Sequence, residues 1–153
     1  MQYASLDQFL TKAKTQIAKG PLALVFAEDQ VEVESTLLHQ LKAGFTQVAL
    51  LAPQGIEIRP EVEAQIHQIA YEVHAEDALF AAVNRVNAAV PGIWLYYCYN
   101  AEYLFHPFCE TRNIRELLAF HTEERRDALL SYVVDLYADD LTEFGNAVSL
   151  ERA

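Results

Sequence analysis

The spacing of apolar residues changes back and forth along the chain, and the changes predict helices and strands in turn. Apolar residues recur at helical intervals near the start of the chain, at Leu6, Phe9, Leu10, Ala13 and Ile17. Ser5 and Gln8 precede and enter this segment with the spacing of a capping box, so we predict a helix over residues 6–18. The continuous apolar run 22–27 then predicts a strand that is buried on both faces.

The same alternation continues to about residue 121. We predict a helix over 31–43 that ends at Gly44, a strand over 45–52, and weaker helix, strand and helix signals over 60–67, 68–73 and 75–89. A strand over 93–99 follows, then a helix capped by Asn113, and then a strand over 129–137 from its β-branched and aromatic content. This order predicts a three-layer α/β fold with a mostly parallel sheet.

The stretch from Gly92 to Phe108 is the most informative part of the sequence for locating a ligand-binding site. Its strand runs directly into Asn100 and Glu102, and the strand over 22–27 likewise ends at Glu28 and Asp29. Open α/β sheets bind ligands beyond the carboxyl ends of their strands. We therefore expect Glu28 and Glu102 to meet at one edge of the sheet.

Composition and charge narrow the possible partners. The chain has 153 residues, of which 52% are hydrophobic, as expected for a packed globular protein. Its 22 acidic and 11 basic residues give a net charge of −11, which disfavours binding to nucleic acid and to anionic membrane surfaces. No apolar run is long enough to span a membrane. We expect a cytoplasmic protein in which Cys98 and Cys109 are free thiols.

Two segments suggest a family. Residues 23–52, ALVFAEDQVEVESTLLHQLKAGFTQVALLA, resemble the opening of the capsule-type bacterial family-2 glycosyltransferases, in which a strand ends in a short polar motif and a helix and second strand follow. Residues 92–108 are similar to the later segment of those enzymes that carries Asp-x-Asp-Glu-Phe-Leu. With the downstream helix and the VVDLYADDL run, the resemblance spans residues 21–141.

The resemblance implies the nucleotide-sugar-binding half of a GT-A enzyme, which is Rossmann-like, and implies sugar transfer to an unknown acceptor. Glu28 and Asp29 would then contact the base of the donor. Asn100 and Glu102 would lie near the diphosphate or near a divalent cation, Mn²⁺ or Mg²⁺, as a softened Asp-x-Asp motif. One carboxylate of that motif is missing, and the alternative is a catalytically degenerate binding or interaction module of a larger protein.

The residue pattern and the resemblance together divide the chain into three parts. Residues 1–20 would form an amphipathic amino-terminal helix, residues 21–141 the GT-A-like domain, and residues 142–153 a tail. Because that tail shows neither periodicity nor a cap, we expect the chain to be part of a longer polypeptide.

Each candidate residue also has a structural interpretation. Glu28 and Asp29 are suited to capping the helix that follows them, and Asn100 and Glu102 are common turn residues. Two other candidates are a zinc site and an aromatic platform. The zinc site would use Cys98, His106 and Cys109 with Glu102, although a paired Cys-x-x-Cys is absent, and the platform would use Tyr96, Tyr97, Tyr99 and Tyr103. The tyrosines are equally suited to ordinary core packing with paired hydroxyls, and His121 to a place in the core rather than a catalytic role. The charged run 123–126 would hold an acceptor or a phosphate, or form a solvated face.

Overall fold

A computed structural model describes residues 1–134 and 142, and the chain divides into two compact units, Met1–Ala119 and Phe120–Ala153. The strands of the first unit are β1 (Gln2–Tyr3), β2 (Leu22–Phe26), β3 (Gln47–Ala52), β4 (His67–Ala70) and β5 (Leu95–Tyr99). Its helices are α1 (Leu6–Lys12), α2 (Lys14–Ile17), α3 (Val33–Ala43), α4 (Pro60–Glu63) and α5 (Ala78–Ala89). Helix α6 (Ile114–Glu123) begins in the first unit and ends in the second.

All five strands are parallel and lie in the order β1, β4, β3, β2, β5. Strand β2 is an interior strand: its Leu22 pairs with Gln47 of β3 on one side and with Leu95 of the edge strand β5 on the other. Helices cover both faces, so the predicted three-layer α/β architecture with a Rossmann-like parallel sheet is confirmed. Because parallel strands need crossovers, the chain visits β2, β3 and β4 in one direction and then returns to the far side of β2.

Two apolar cores lie on opposite faces of the sheet, and the alternation of side chains along β2 assigns residues to each. Leu22, Leu24 and Phe26 face the core that includes residues of α1, α2 and α5, whereas Ala23 and Val25 face the core that includes residues of α3 and α4 and the start of α6. All five residues of β2 are buried, which accounts for its continuous apolar sequence.

The predicted helix ends are confirmed at three positions. The Ser5 hydroxyl oxygen accepts a hydrogen bond from the backbone N–H of Gln8 at 3.2 Å. The Asn113 side-chain oxygen accepts from the N–H of Glu116, whose carboxylate in turn accepts from the N–H of Asn113, a reciprocal capping box. Gly44 ends α3 with φ of +97°, a conformation that side chains with a Cβ rarely adopt.

Several predicted boundaries are displaced. The helix predicted over 6–18 is divided at Ala13 into α1 and α2. The apolar spacing does not predict this break, because Phe9, Ala13 and Ile17 are buried on both sides of it. The helix predicted over 60–67 ends at Glu63, since the chain must already be extended at His67 to pair with Ala49 of β3.

The strand predicted over 129–137 is wrong for its described part. Residues 129–134 adopt no strand, and their side chains are exposed, with Tyr132 at 86%. Apolar and β-branched residues favour a strand only when a neighbouring strand accepts their backbone hydrogen bonds. Residues 135–137 and the predicted tail, apart from Thr142, lie outside the described part of the chain.

Within the described residues, none of the helices has the length and apolarity needed to cross a membrane.

Candidate functional site

The carboxyl ends of β2 and β5 form the point at which the strand order reverses. The chain extends the sheet through β3 and β4 on one side of β2 and returns to place β5 on the other side. At such a switch point the connections leave in opposite directions and open a crevice that commonly binds ligands. Phe26 and Tyr99 pair at the ends of these strands, so the residues after them emerge side by side.

Asn100 connects the two strand ends through its side chain. Its Oδ1 accepts a hydrogen bond from the backbone N–H of Glu28 at 3.1 Å, and its Nδ2 donates to Asp29 Oδ1 at 2.8 Å and to the carbonyl oxygen of Val31 at 2.9 Å. Both N–H groups of the amide are therefore used inside the protein, across some seventy residues of sequence. Asn100 holds the segment after β2 against the end of β5.

Asp29 forms a turn within the segment that joins β2 to α3. Its Oδ1 also accepts from the backbone N–H of Val31 at 2.9 Å, which makes an Asx turn directly before α3. The residue at the N-cap of α3 is Glu32, in the left-handed region at φ of +52°, and its side chain makes no cap hydrogen bond. Asp29 thus stabilises the turn that leads into the helix, and neither Glu28 nor Asp29 is its N-cap.

Glu102 closes the turn at the end of β5. Its Oε2 accepts from the backbone N–H of Tyr99 at 2.7 Å, and its own N–H donates to the Tyr99 carbonyl oxygen at 3.4 Å. Between them, Ala101 has φ of +62°, which a residue with a Cβ adopts only at a cost of about 1 kcal/mol. The interpretation of Asn100 and Glu102 as turn residues is consistent with these bonds.

Three side chains of α3 hold the segment after β5, and the sequence analysis did not single them out. Thr36 Oγ1 accepts from the N–H of Ala101 at 2.9 Å, and the Ser35 hydroxyl lies 2.8 Å from that of Tyr103. His39 Nε2 lies 2.8 Å from the carbonyl oxygen of Leu104. Short-range sequence patterns contain no signal for these contacts, because each joins residues more than sixty positions apart.

Glu28 differs from the other three predicted residues. Its side chain is exposed, and within the described part of the chain no group donates a hydrogen bond to its carboxylate. Burial raises the pKa of Tyr99 above its usual value, and the negative charges of Glu28 and Glu102 raise that pKa further. Among the described residues, no donor therefore occupies either oxygen of the Glu28 carboxylate.

Aromatic rings line the strand ends beside Glu28. The Phe26 ring lies 6.2 Å from that of Tyr99 and 6.3 Å from that of Tyr71, measured between centroids. Tyr96 stacks on Phe45 on the opposite face of the sheet, and Tyr97 is exposed at its edge. The tyrosines of the predicted platform thus lie on both faces and do not form one surface; Tyr99 is the one whose pKa is affected by the charge of Glu28.

A groove of about 570 Å³ lies further along the same edge of the sheet. It begins at the end of β3, which neighbours β2, and extends past the ends of β4 and β1. Its polar lining includes Lys12, Gln54 and Gln68. The carboxyl edge therefore has an open groove that begins one strand away from the switch point.

Two of the candidate cation ligands already accept hydrogen bonds from the backbone. The Asn100 oxygen is bonded to the N–H of Glu28 and one Glu102 oxygen to the N–H of Tyr99, so each presents a ligand oxygen already used by the backbone. Cations such as Mg²⁺ require several oxygen ligands at about 2.1 Å. Across residues 1–134, moreover, no three His, Cys, Asp or Glu side chains come together as a metal site would require.

The two cysteines are free thiols, as predicted, and they differ in burial. Cys98 lies in the apolar core, where burial, and secondarily the charge of Glu102, raises its pKa to about 12. A thiol with that pKa is almost entirely protonated at neutral pH and is a poor metal ligand and nucleophile. The zinc site that would use Cys98, His106 and Cys109 is therefore not supported.

This difference predicts selective labelling. In the folded protein at pH 7, a thiol reagent such as Ellman's reagent is expected to modify the partly exposed Cys109 and to leave Cys98 unmodified until the protein unfolds. Cys109→Ser should then remove the rapid phase, whereas Cys98→Ala should retain it. Rapid modification of Cys98 in the native state would contradict its burial in the core.

Two remaining predictions concern the second unit. His121 is buried, with its Nδ1 3.3 Å from Arg126 Nη1, consistent with a packed rather than a catalytic role. Residues 123–126 are exposed, as expected for a solvated charged face.

Comparison of the chain with protein-family models, with curated proteins and with solved structures finds no match in any of the three.

Proposed function

We propose that the chain binds a nucleotide-sugar donor at the carboxyl edge of its sheet, as the donor-binding half of a glycosyltransferase-like protein. The observation that carries this proposal is the switch point between β2 and β5, where Glu28 presents an open carboxylate beside Tyr99. A carboxylate accepts hydrogen bonds from the N–H groups of a base or from sugar hydroxyls, and an aromatic ring packs against either kind of ring.

The bonds among the other candidate residues define their roles in this proposal. Asn100 and Asp29 use their side chains to fix the segment that carries Glu28, so we assign them the positioning of that carboxylate rather than direct ligand contact. Glu102 fixes the end of β5. The groove beyond β3 and β4 then provides room for the remainder of the donor.

A second candidate function is binding without turnover. Asn100 is neutral where an Asp-x-Asp motif would supply a carboxylate, which reduces the negative charge available to hold a cation that would offset a leaving diphosphate. This favours a degenerate module that binds the donor, or another partner, for a larger protein. The free thiols agree with a cytoplasmic setting for either function.

A binding experiment tests the shared proposal. Titration with uridine diphosphate sugars is expected to raise the melting temperature, with a rise that continues as the logarithm of ligand concentration above the dissociation constant. Glu28→Gln should weaken binding by about tenfold through loss of a charge-assisted hydrogen bond. Glu61→Gln removes an exposed carboxylate on α4 and should leave binding unchanged.

The outcomes separate the candidates. No thermal shift with any nucleotide sugar, or equal binding by the wild type and Glu28→Gln, would contradict the proposed site. If binding is found, donor hydrolysis or transfer, measured with and without added Mn²⁺, distinguishes an enzyme from a binding module.

A further inference from the structure

Strand β5 forms an open edge of the sheet. The N–H of Leu22 donates to the Trp94 carbonyl oxygen at 3.0 Å, and the N–H of Asn100 donates to the Phe26 carbonyl oxygen at 3.0 Å. Because a strand directs its backbone groups alternately to its two sides, these bonds place Tyr96 and Cys98 in the ladder with β2. The N–H and C=O groups of Leu95 and Tyr97 therefore point away from the sheet.

Glu102 limits the open part of this edge. Its carboxylate accepts from the Tyr99 N–H, and its own N–H donates to the Tyr99 carbonyl oxygen, so the outward groups of Tyr99 are both satisfied. Leu95 and Tyr97 remain, and no strand within residues 1–134 pairs with them. The Tyr97 side chain is 47% exposed.

Nothing in the sequence of β5 protects this edge. Proteins usually shield edge strands with charged residues, prolines, bulges or short length, because open backbone groups pair readily with other strands. β5 has five residues without charge or proline, whereas β1, at the opposite edge, has only two residues.

The chemistry of the edge favours a second copy of this chain as the occupant. β5 carries no charged side chain, so pairing two copies of this strand sets no like charges directly against each other. Its own sequence is uncharged and self-complementary, since an antiparallel pair centred on Tyr96 places Leu95 of each copy opposite Tyr97 of the other. Such a pair forms about four backbone hydrogen bonds and sets apolar and aromatic side chains against each other.

We propose that two copies of this chain associate through antiparallel pairing of their β5 edges, which joins their sheets into one. The contact involves the middle of β5 and not Glu28, so it stands independently of ligand binding at the switch point.

Analytical ultracentrifugation of the full chain over about 1 to 500 µM tests this proposal. We expect a monomer–dimer equilibrium in the wild type. Tyr97→Pro should raise the dissociation constant by at least about tenfold, because proline removes an outward N–H while leaving the bonds to β2 in place. Tyr97→Lys should act similarly by adding like charges to the contact. The control Phe80→Lys changes an aromatic residue that is 62% exposed on α5, and it should leave the equilibrium unaltered.

Hydrogen exchange provides a readout that does not depend on the variants. Amides of Leu95 and Tyr97 should gain protection as the wild-type concentration rises, while those of Tyr96 and Cys98 stay protected throughout. A wild type that is monomeric over the whole range, dimers that persist in both Tyr97 variants, or protection of Leu95 and Tyr97 that is independent of concentration would each overturn the proposal.

Discussion

Replacing Asn100 with aspartate is expected to destabilise the protein by about 3 kcal/mol at pH 7. The change removes the two N–H donors that hold Asp29 Oδ1 and the Val31 carbonyl oxygen, each worth about 1 kcal/mol. It also places a second carboxylate against that of Asp29, which adds about 1 kcal/mol of repulsion at this exposed position. Chemical denaturation of the two proteins measures the difference.

Two further variants show whether the effect arises from these bonds. Asn84→Asp adds the same charge at an exposed position of α5 and should change stability by less than about 0.5 kcal/mol. In the double variant Asn100→Asp with Asp29→Asn, an amide again faces a carboxylate, so about 1 kcal/mol or more should be recovered. Wild-type stability of Asn100→Asp, or its rescue by added Mn²⁺, would indicate that Asn100 occupies a metal site instead of connecting two strand ends.

Lowering the pH from 6.5 to 4 is expected to cost the protein about 3 kcal/mol through His67 alone. This side chain is buried, with Nδ1 3.0 Å from the Tyr3 hydroxyl and Nε2 2.7 Å from Gln47 Oε1. The neutral ring satisfies both neighbours by accepting at Nδ1 and donating at Nε2. Burial, with a smaller contribution from the amino-terminal charge, lowers the pKa of His67 to about 4.

The sign follows from proton binding by the unfolded chain. Between pH 6.5 and about 4 the unfolded imidazole takes up a proton that the folded one does not. The contribution of neutral His67 to the free energy of unfolding is therefore complete above pH 6.5 and is lost as the pH falls to 4. His67→Gln removes this dependence, so the stability difference between the wild type and this variant should shrink with decreasing pH. His74→Gln makes the same substitution at an exposed position and is the control for the exchange of side chains itself. A pH-independent difference for His67→Gln would show that His67 is not protonated on unfolding.

A strand that is buried on both faces was predictable because burial on both faces requires an apolar residue at every position. Leu22 to Phe26 is buried on both faces and therefore reads as a continuous apolar run. His67 to Ala70 alternates between buried and half-buried positions, so its signal was weaker and its boundary was displaced. Residues 129–134 have a composition that favours a strand, yet they are exposed and unpaired in the described chain, because composition carries no information about an available partner strand.

The candidate site was predictable in its position but not in the state of its side chains. Polar residues after apolar strands located Glu28 and Asn100 at one edge of the sheet. The sequence did not show that the Asn100 amide is consumed by Glu28, Asp29 and Val31. It also gave no sign that Thr36 would bind the turn at Ala101, since that bond exists only after α3 packs against the sheet.

The sequence by itself determined the layers of this protein, since apolar periodicity and helix caps act over a few residues and require no knowledge of distant parts of the chain. The tertiary structure alone decided which polar groups are open. Strand order places β5 beside β2, and that neighbourhood leaves Glu28 free while it occupies the hydrogen-bonding groups of Asn100 and one carboxylate oxygen of Glu102. Hydrogen bonds between residues seventy positions apart depend on strand order and register, which no local pattern encodes.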